Sequence, residues 1–199
     1  MTYLEFRTQL FDLGCFSIRQ VYAWQPDFDR NNLTRWIKKG LLVRLRQEYF
    51  AFPEYLRRPD FAQYIANRIY RPSYISLHTA LSFYGLIPEA VVQITSVSTL
   101  KTATFRNPFG EYSYKSIKNE SRSIADGRTL LFATPEKALL DLLYLYPFYD
   151  KEEELEQLRL DEDYMQEELD RERFGEYLGR FRSKALEKRT AVLMKIYEL

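Results

Sequence analysis

Apolar residues recur at helical spacing three times before the chain changes period. Residues 2–13 carry Leu4, Phe6, Leu10, Phe11 and Leu13 with helical spacing and run into Gly14, which accepts the left-handed conformation that ends a helix. Ser17 is placed to cap a second helix from Ile18 to Gln25, with Ile18, Val21 and Tyr22 to one side and Pro26 closing it. Asp29 is placed to cap a third, residues 30–39, stopped by Gly40, with Leu33, Trp36 and Ile37 as its buried face. From Leu41 to Phe52 apolar residues alternate with basic and polar ones, which is the period of a strand. Gln47-Glu48 can fold that run into a hairpin, with Arg44 and Arg46 on one face of its first strand.

Beyond the hairpin, Pro53 and Pro59 bracket a basic turn, and Phe61, Ile65 and Ile69 again repeat at helical spacing. A domain boundary is expected between residues 53 and 60, dividing the chain into 1–56 and 57–199. Arg71-Pro72 favours an extended lead into a helix with Ser76 as cap, Leu77, Ala80, Leu81 and Tyr84 as apolar face, and Gly85 and Pro88 as stop. Thr134, Pro135 and Glu136 open a second such helix, whose stripe of Ala138, Leu139, Leu142, Leu143 and Tyr146 ends at Pro147. Between the two lie strand-like runs at 91–99, 102–105 and 111–117, the last two flanking an Asn107-Pro-Phe-Gly110 turn, and a fourth at 129–133 that leads into Thr134. Residues from 150 onward have helical composition. Ser183 opens a final helix, with Leu186, Thr190, Leu193 and Tyr197 in line and Val192 and Ile196 beside them. The expected class is α+β: a winged helix-turn-helix unit, then a mixed unit with an antiparallel sheet and packed helices, then a helical tail.

With 199 residues, 46% apolar and 16% aromatic, the chain has ample material for a core. Its net charge of +1 conceals an acidic run, residues 150–173, of net charge −8, set among mildly basic segments. Such a run ordinarily forms a solvated helix face. A single cysteine, Cys15, excludes an internal disulfide and a cysteine-based metal cluster, in keeping with a reducing cytoplasm. The first residues lack a basic segment followed by a long apolar run, and no stretch approaches the roughly 18 apolar residues of a membrane span, so a cytoplasmic chain is expected.

Candidate chemistry is sparse. His78 is the only histidine and falls at the edge of an apolar helix face, where a structural role is the ordinary one. Cys15 has no candidate base beside it, and seven glycines form no phosphate-cradling pattern. One histidine and one cysteine cannot build a structural zinc site, and the acidic run lacks the glycine turn and alternating carboxylates of a calcium loop. Neither catalysis nor a metal or cofactor is expected. Most of the 16 tyrosines and 14 phenylalanines occupy core positions rather than a stacking surface for bases.

The third helix is different, because opposite its apolar face it presents amides and cations. Asn31, Arg35 and Lys38 point directly outward, flanked by Thr34 and Lys39. Three helices followed by a hairpin bearing cations is the order of a winged helix-turn-helix. On that reading Asn31, Arg35 and Lys38 reach base edges of double-stranded DNA, and Thr34, Lys39, Arg44 and Arg46 hold phosphates. The competing reading is a non-enzymatic interaction module whose winged helix does not bind DNA and whose acidic segment grips a basic partner.

The stretch from Pro72 to Glu89, followed by Ala133-Thr-Pro-Glu-Lys-Ala-Leu-Leu-Asp141, resembles the AbiEi family of antitoxins of type IV toxin-antitoxin systems. The resemblance covers residues from about 17 to 146 and implies a bacterial regulator whose winged helix binds inverted repeats in its own promoter and represses its operon. It further implies that the carboxy-terminal part helps neutralise a nucleotidyltransferase-like toxin encoded beside it, without a stable complex. His78 stands where the family pattern leads to an acidic residue, so no role is carried to it. The motifs fall on expected core helices and speak for the fold rather than for a site.

Overall fold

Thr2 opens the first helix with reciprocal bonds: its hydroxyl accepts from the Glu5 N–H, and the Glu5 carboxylate accepts from the Thr2 N–H. The computed structural model describes residues 1–117 and 130–199. In it α1 (Tyr3–Leu10) buries Phe6 and Leu10 and leaves through a 3-10 turn into Gly14, whose φ is +65°. A Cβ there would lie 2.8 Å from the Phe61 ring, so both conformation and space demand glycine. A short strand absent from the periodicity, β1 (Cys15–Ser17), follows. Ser17 and Gln20 form the same reciprocal cap on α2 (Ile18–Trp24). Then come α3 (Asn31–Lys38), β2 (Val43–Arg46) and β3 (Tyr49–Ala51). β3 lies between β1 and β2 and is antiparallel to both.

Aromatic side chains fill the space between these helices and their sheet. The Phe6 ring centroid lies 4.7 Å from Trp36 and 5.5 Å from both Phe16 and Phe28. This core does not stop at residue 56. Phe61, Ile65 and Ile69 of α4 (Phe61–Ile69), with Ile75, Tyr112 and Tyr114 further on, belong to the same buried cluster. The turn marked by Pro53 and Pro59 is a 3-10 segment, Pro53–Arg57, whose Tyr55 is buried and donates to the Phe11 carbonyl at 2.7 Å.

The second sheet contains β4 (Ser73–Ile75), β5 (Ile94–Ser98), β6 (Ala103–Asn107) and β7 (Gly110–Ser116) in the order β4-β5-β7-β6. β6 and β7 form the hairpin expected at Asn107–Gly110. β7 returns between β6 and β5 and therefore runs parallel to β5, so the sheet is mixed rather than antiparallel. Of the strand expected at 129–133, Thr129 lies outside the described residues. The rest makes one bridge, Phe132 to Ile75, before Thr134 caps α6 (Pro135–Leu145).

Helices α5 (Leu77–Phe83) and α6 centre a second core. Packed around it are α7 (Glu152–Glu156), a wide helical turn at Tyr164–Glu168, α8 (Arg171–Phe181) and α9 (Lys184–Ile196). The acidic stretch is therefore broken rather than one helix. Its buried residues, Leu155, Leu158, Leu160, Met165 and Leu169, are spaced so irregularly that no single helix face could bury them all. α9 buries Leu186, Thr190, Leu193 and Tyr197 in the expected line, with Ser183 accepting from the Leu186 N–H. Among the described residues no helix is long and apolar enough to cross a membrane.

Candidate nucleic-acid interface

Two side chains seat α3 on the first core: Leu33 and Trp36 are buried, and Ile37 is half-buried beside them. With that underside fixed, Asn31, Thr34, Arg35, Lys38 and Lys39 are all exposed. The helix begins at Asn31 with Arg30, not the expected Asp29, as its N-cap, and the Asp29 side chain bonds just ahead of it. One oxygen of the Asp29 carboxylate accepts from the Asn31 N–H at 2.9 Å and the other from the Arg35 guanidinium at 3.1 Å. Among the described residues, Lys38 and Lys39 have no ion-pair partner, and they sit at the end of α3 where backbone carbonyls favour positive charge. The surface that results offers one amide, one hydroxyl and three cations on a single rigid element. Chemically it can donate to phosphate oxygens and to acceptors on base edges.

The hairpin departs from expectation. Arg44 is exposed, but Arg46 is half-buried and turned toward the second sheet. Its guanidinium donates to the Ile69 carbonyl at 2.6 Å and lies 5.0 Å from the Tyr70 ring and 4.5 Å from the Phe105 ring. The cause is a bulge in the pairing of β2 with β3 between Arg44 and Arg46, which breaks the alternation that would have put both on one face. The Asn107 amide donates to the Leu45 carbonyl at 3.3 Å, so the β2 edge is docked against β6. Arg46 thus has one donor committed to the Ile69 carbonyl and its guanidinium packed between two rings.

A polar network that the sequence reading passed over joins α6 to β4 and to Ser76, the residue before α5. Lys137 bonds to the Asp141 carboxylate, which also accepts from the Ser76 and Tyr74 hydroxyls at 2.8 Å each. The signal was present, since Lys137 and Asp141 stand four apart inside an otherwise apolar stripe. Burial pushes the Asp141 carboxyl up and the Lys137 ammonium down, and each partner opposes the other's shift. Because Ser76 is committed to Asp141, it does not cap α5. The Thr79 N–H is satisfied instead by the Thr95 hydroxyl of β5, at 3.1 Å. Ser76, Lys137 and Asp141 are buried in this network, and Tyr74 is half-buried.

His78 packs edge-on to Tyr146, and burial lowers its pKa below the usual histidine range. Cys15 is buried, and its thiol is pushed up to about 12 by burial, which removes the thiolate that reactivity needs. Among the described residues no group of three or more His, Cys, Asp or Glu side chains gathers to hold a metal. Comparison of the sequence with protein-family models and with curated proteins gives no match.

Proposed function

We propose that this chain is a DNA-binding regulator and antitoxin, with α2 and α3 as a helix-turn-helix, α3 as its recognition helix and β2–β3 as its wing. The order α1-β1-α2-α3-β2-β3, with β3 between β1 and β2, supports the winged-helix reading. The observation that carries it is the exposed row Asn31, Thr34, Arg35, Lys38 and Lys39 over a buried Leu33 and Trp36. On this reading Arg35 addresses a guanine, Asn31 an adenine, and Lys38 a further base edge, while Thr34, Lys39 and Arg44 hold the backbone. The antitoxin role rests on the resemblance of the Pro72–Glu89 and Ala133–Asp141 stretches to AbiEi-family proteins. The bond from Ser76 in the first stretch to Asp141 in the second supports treating the two as one unit.

Binding of the DNA upstream of the gene tests the first half. Arg35→Ala is expected to cost about 1–3 kcal/mol and to relax preference at one base pair, whereas Lys39→Ala weakens all sequences alike and lowers the salt slope by about one. Equal losses on operator and random DNA for Arg35→Ala would contradict the assignment. Co-expression with a nucleotidyltransferase-like toxin encoded in the adjacent gene tests the second half. Rescue of growth without co-purification is expected, and failure of rescue would remove the antitoxin role. The docked β2–β3 hairpin is the one observation that favours an interaction module instead, because a wing held against the second sheet has little freedom to follow DNA.

A further inference from the structure

The carboxylate of Asp29 makes two bonds with separate purposes. Oδ1 accepts from the N–H of Asn31, the first residue of α3, at 2.9 Å; Oδ2 accepts from the Arg35 NH2 group at 3.1 Å. Both side chains of the ion pair remain about half exposed, at 62% for Arg35 and 51% for Asp29. So exposed a pair adds little to folding stability. It does, however, bias the direction of a long side chain that would otherwise sample many rotamers. One NH2 hydrogen directed at Asp29 leaves the guanidinium other N–H groups with which to address acceptors beyond the helix.

We infer that Asp29 is a positioning residue for base reading: it holds Arg35 in the orientation in which the guanidinium meets a guanine edge, and its charge penalises sites where that guanine is absent. The inference rests on α3 being the DNA-reading helix. Two effects follow from the chemistry. A pre-oriented Arg35 loses less freedom on binding, which favours the site it fits. A carboxylate held close to the nucleic acid repels phosphates and unmatched acceptors, and so weakens binding to every sequence that leaves Arg35 unsatisfied.

Asp29→Asn separates the two bonds, because the asparagine Oδ1 can still accept from the Asn31 N–H while the side chain carries no charge to hold Arg35. Binding to upstream DNA, to the same DNA altered one base pair at a time, and to random DNA would be measured for wild type, Asp29→Asn, Arg35→Ala and the double variant. Asp29→Asn is expected to bind random DNA several-fold more tightly and to lose about 3–10-fold of discrimination at the base pair that Arg35→Ala also relaxes, with its melting temperature unchanged. The double variant is expected to discriminate no worse than Arg35→Ala alone. Asp29→Asn with discrimination intact would overturn the inference and leave α3 as the reader. An equal loss at every base pair, or a lowered melting temperature that accounts for the change, would reduce Asp29 to a local turn former and overturn it as well. Absence of wild-type binding to all these DNAs would overturn both the inference and the reading beneath it.

Discussion

Lys137 and Asp141 share the second core with both side chains fully buried. Taking two charges out of water costs more than their attraction returns unless further groups satisfy them, and here Tyr74 and Ser76 do so. Removing one partner should therefore be far worse than removing both. Asp141→Asn leaves an uncompensated buried ammonium, and a loss of about 3–5 kcal/mol is expected. Replacing Lys137 and Asp141 together by Met and Leu should cost less than either single change. Urea midpoints of Lys137→Met, Asp141→Leu and the double variant check this, and additive losses would show that the pair is not coupled. At this scale the sequence was readable where a side chain acts on its own backbone neighbours, as Thr134 and Ser183 do. It was not readable where the partner lies far along the chain: Ser76 has the composition of a cap, but its hydroxyl belongs to a residue 65 positions away.

Among elements, α3 was the most legible, because a strong contrast between apolar and polar faces specifies both its burial and its exposure. β1 was invisible, since three residues are too few to show a period. The β2–β3 hairpin was found, but one bulge redirected a residue that simple alternation had placed on the outer face. Arg44 and Arg46 consequently serve different ends and should behave as opposites. Arg46→Ala removes a bond to the Ile69 carbonyl and two ring contacts and should lower stability by about 1–3 kcal/mol, with the salt dependence of DNA binding unchanged. Arg44→Ala should leave the melting temperature in place and reduce the salt slope by about one. Thermal melts alongside salt titrations check the pair, and a reversed pattern would mean that the wing contacts DNA through Arg46 after all.

Across the whole molecule, the cation-bearing α3 and the acidic stretch belong to different cores. α3 is seated on the first through Leu33 and Trp36; residues 150–173 are seated on the second through Leu155, Leu158, Leu160, Met165 and Leu169. That separation seats the −8 run on a different core from the one that carries α3. The order of elements was legible from period and punctuation, but the path of β7 between β5 and β6 was not, because parallel and antiparallel neighbours of this composition read alike. Nor was the continuity of the first core past residue 56, which depends on Tyr112 and Tyr114 arriving from the far side of the sequence. The central claim is that α3 reads DNA. The direct measurement is a mobility shift on the DNA upstream of the gene at two salt concentrations, with wild type and a variant carrying Asn31→Ala, Arg35→Ala and Lys38→Ala. A shift that weakens steeply with salt and is lost in the variant is the expected result. A shift that survives the three substitutions, or none at any salt, would contradict it.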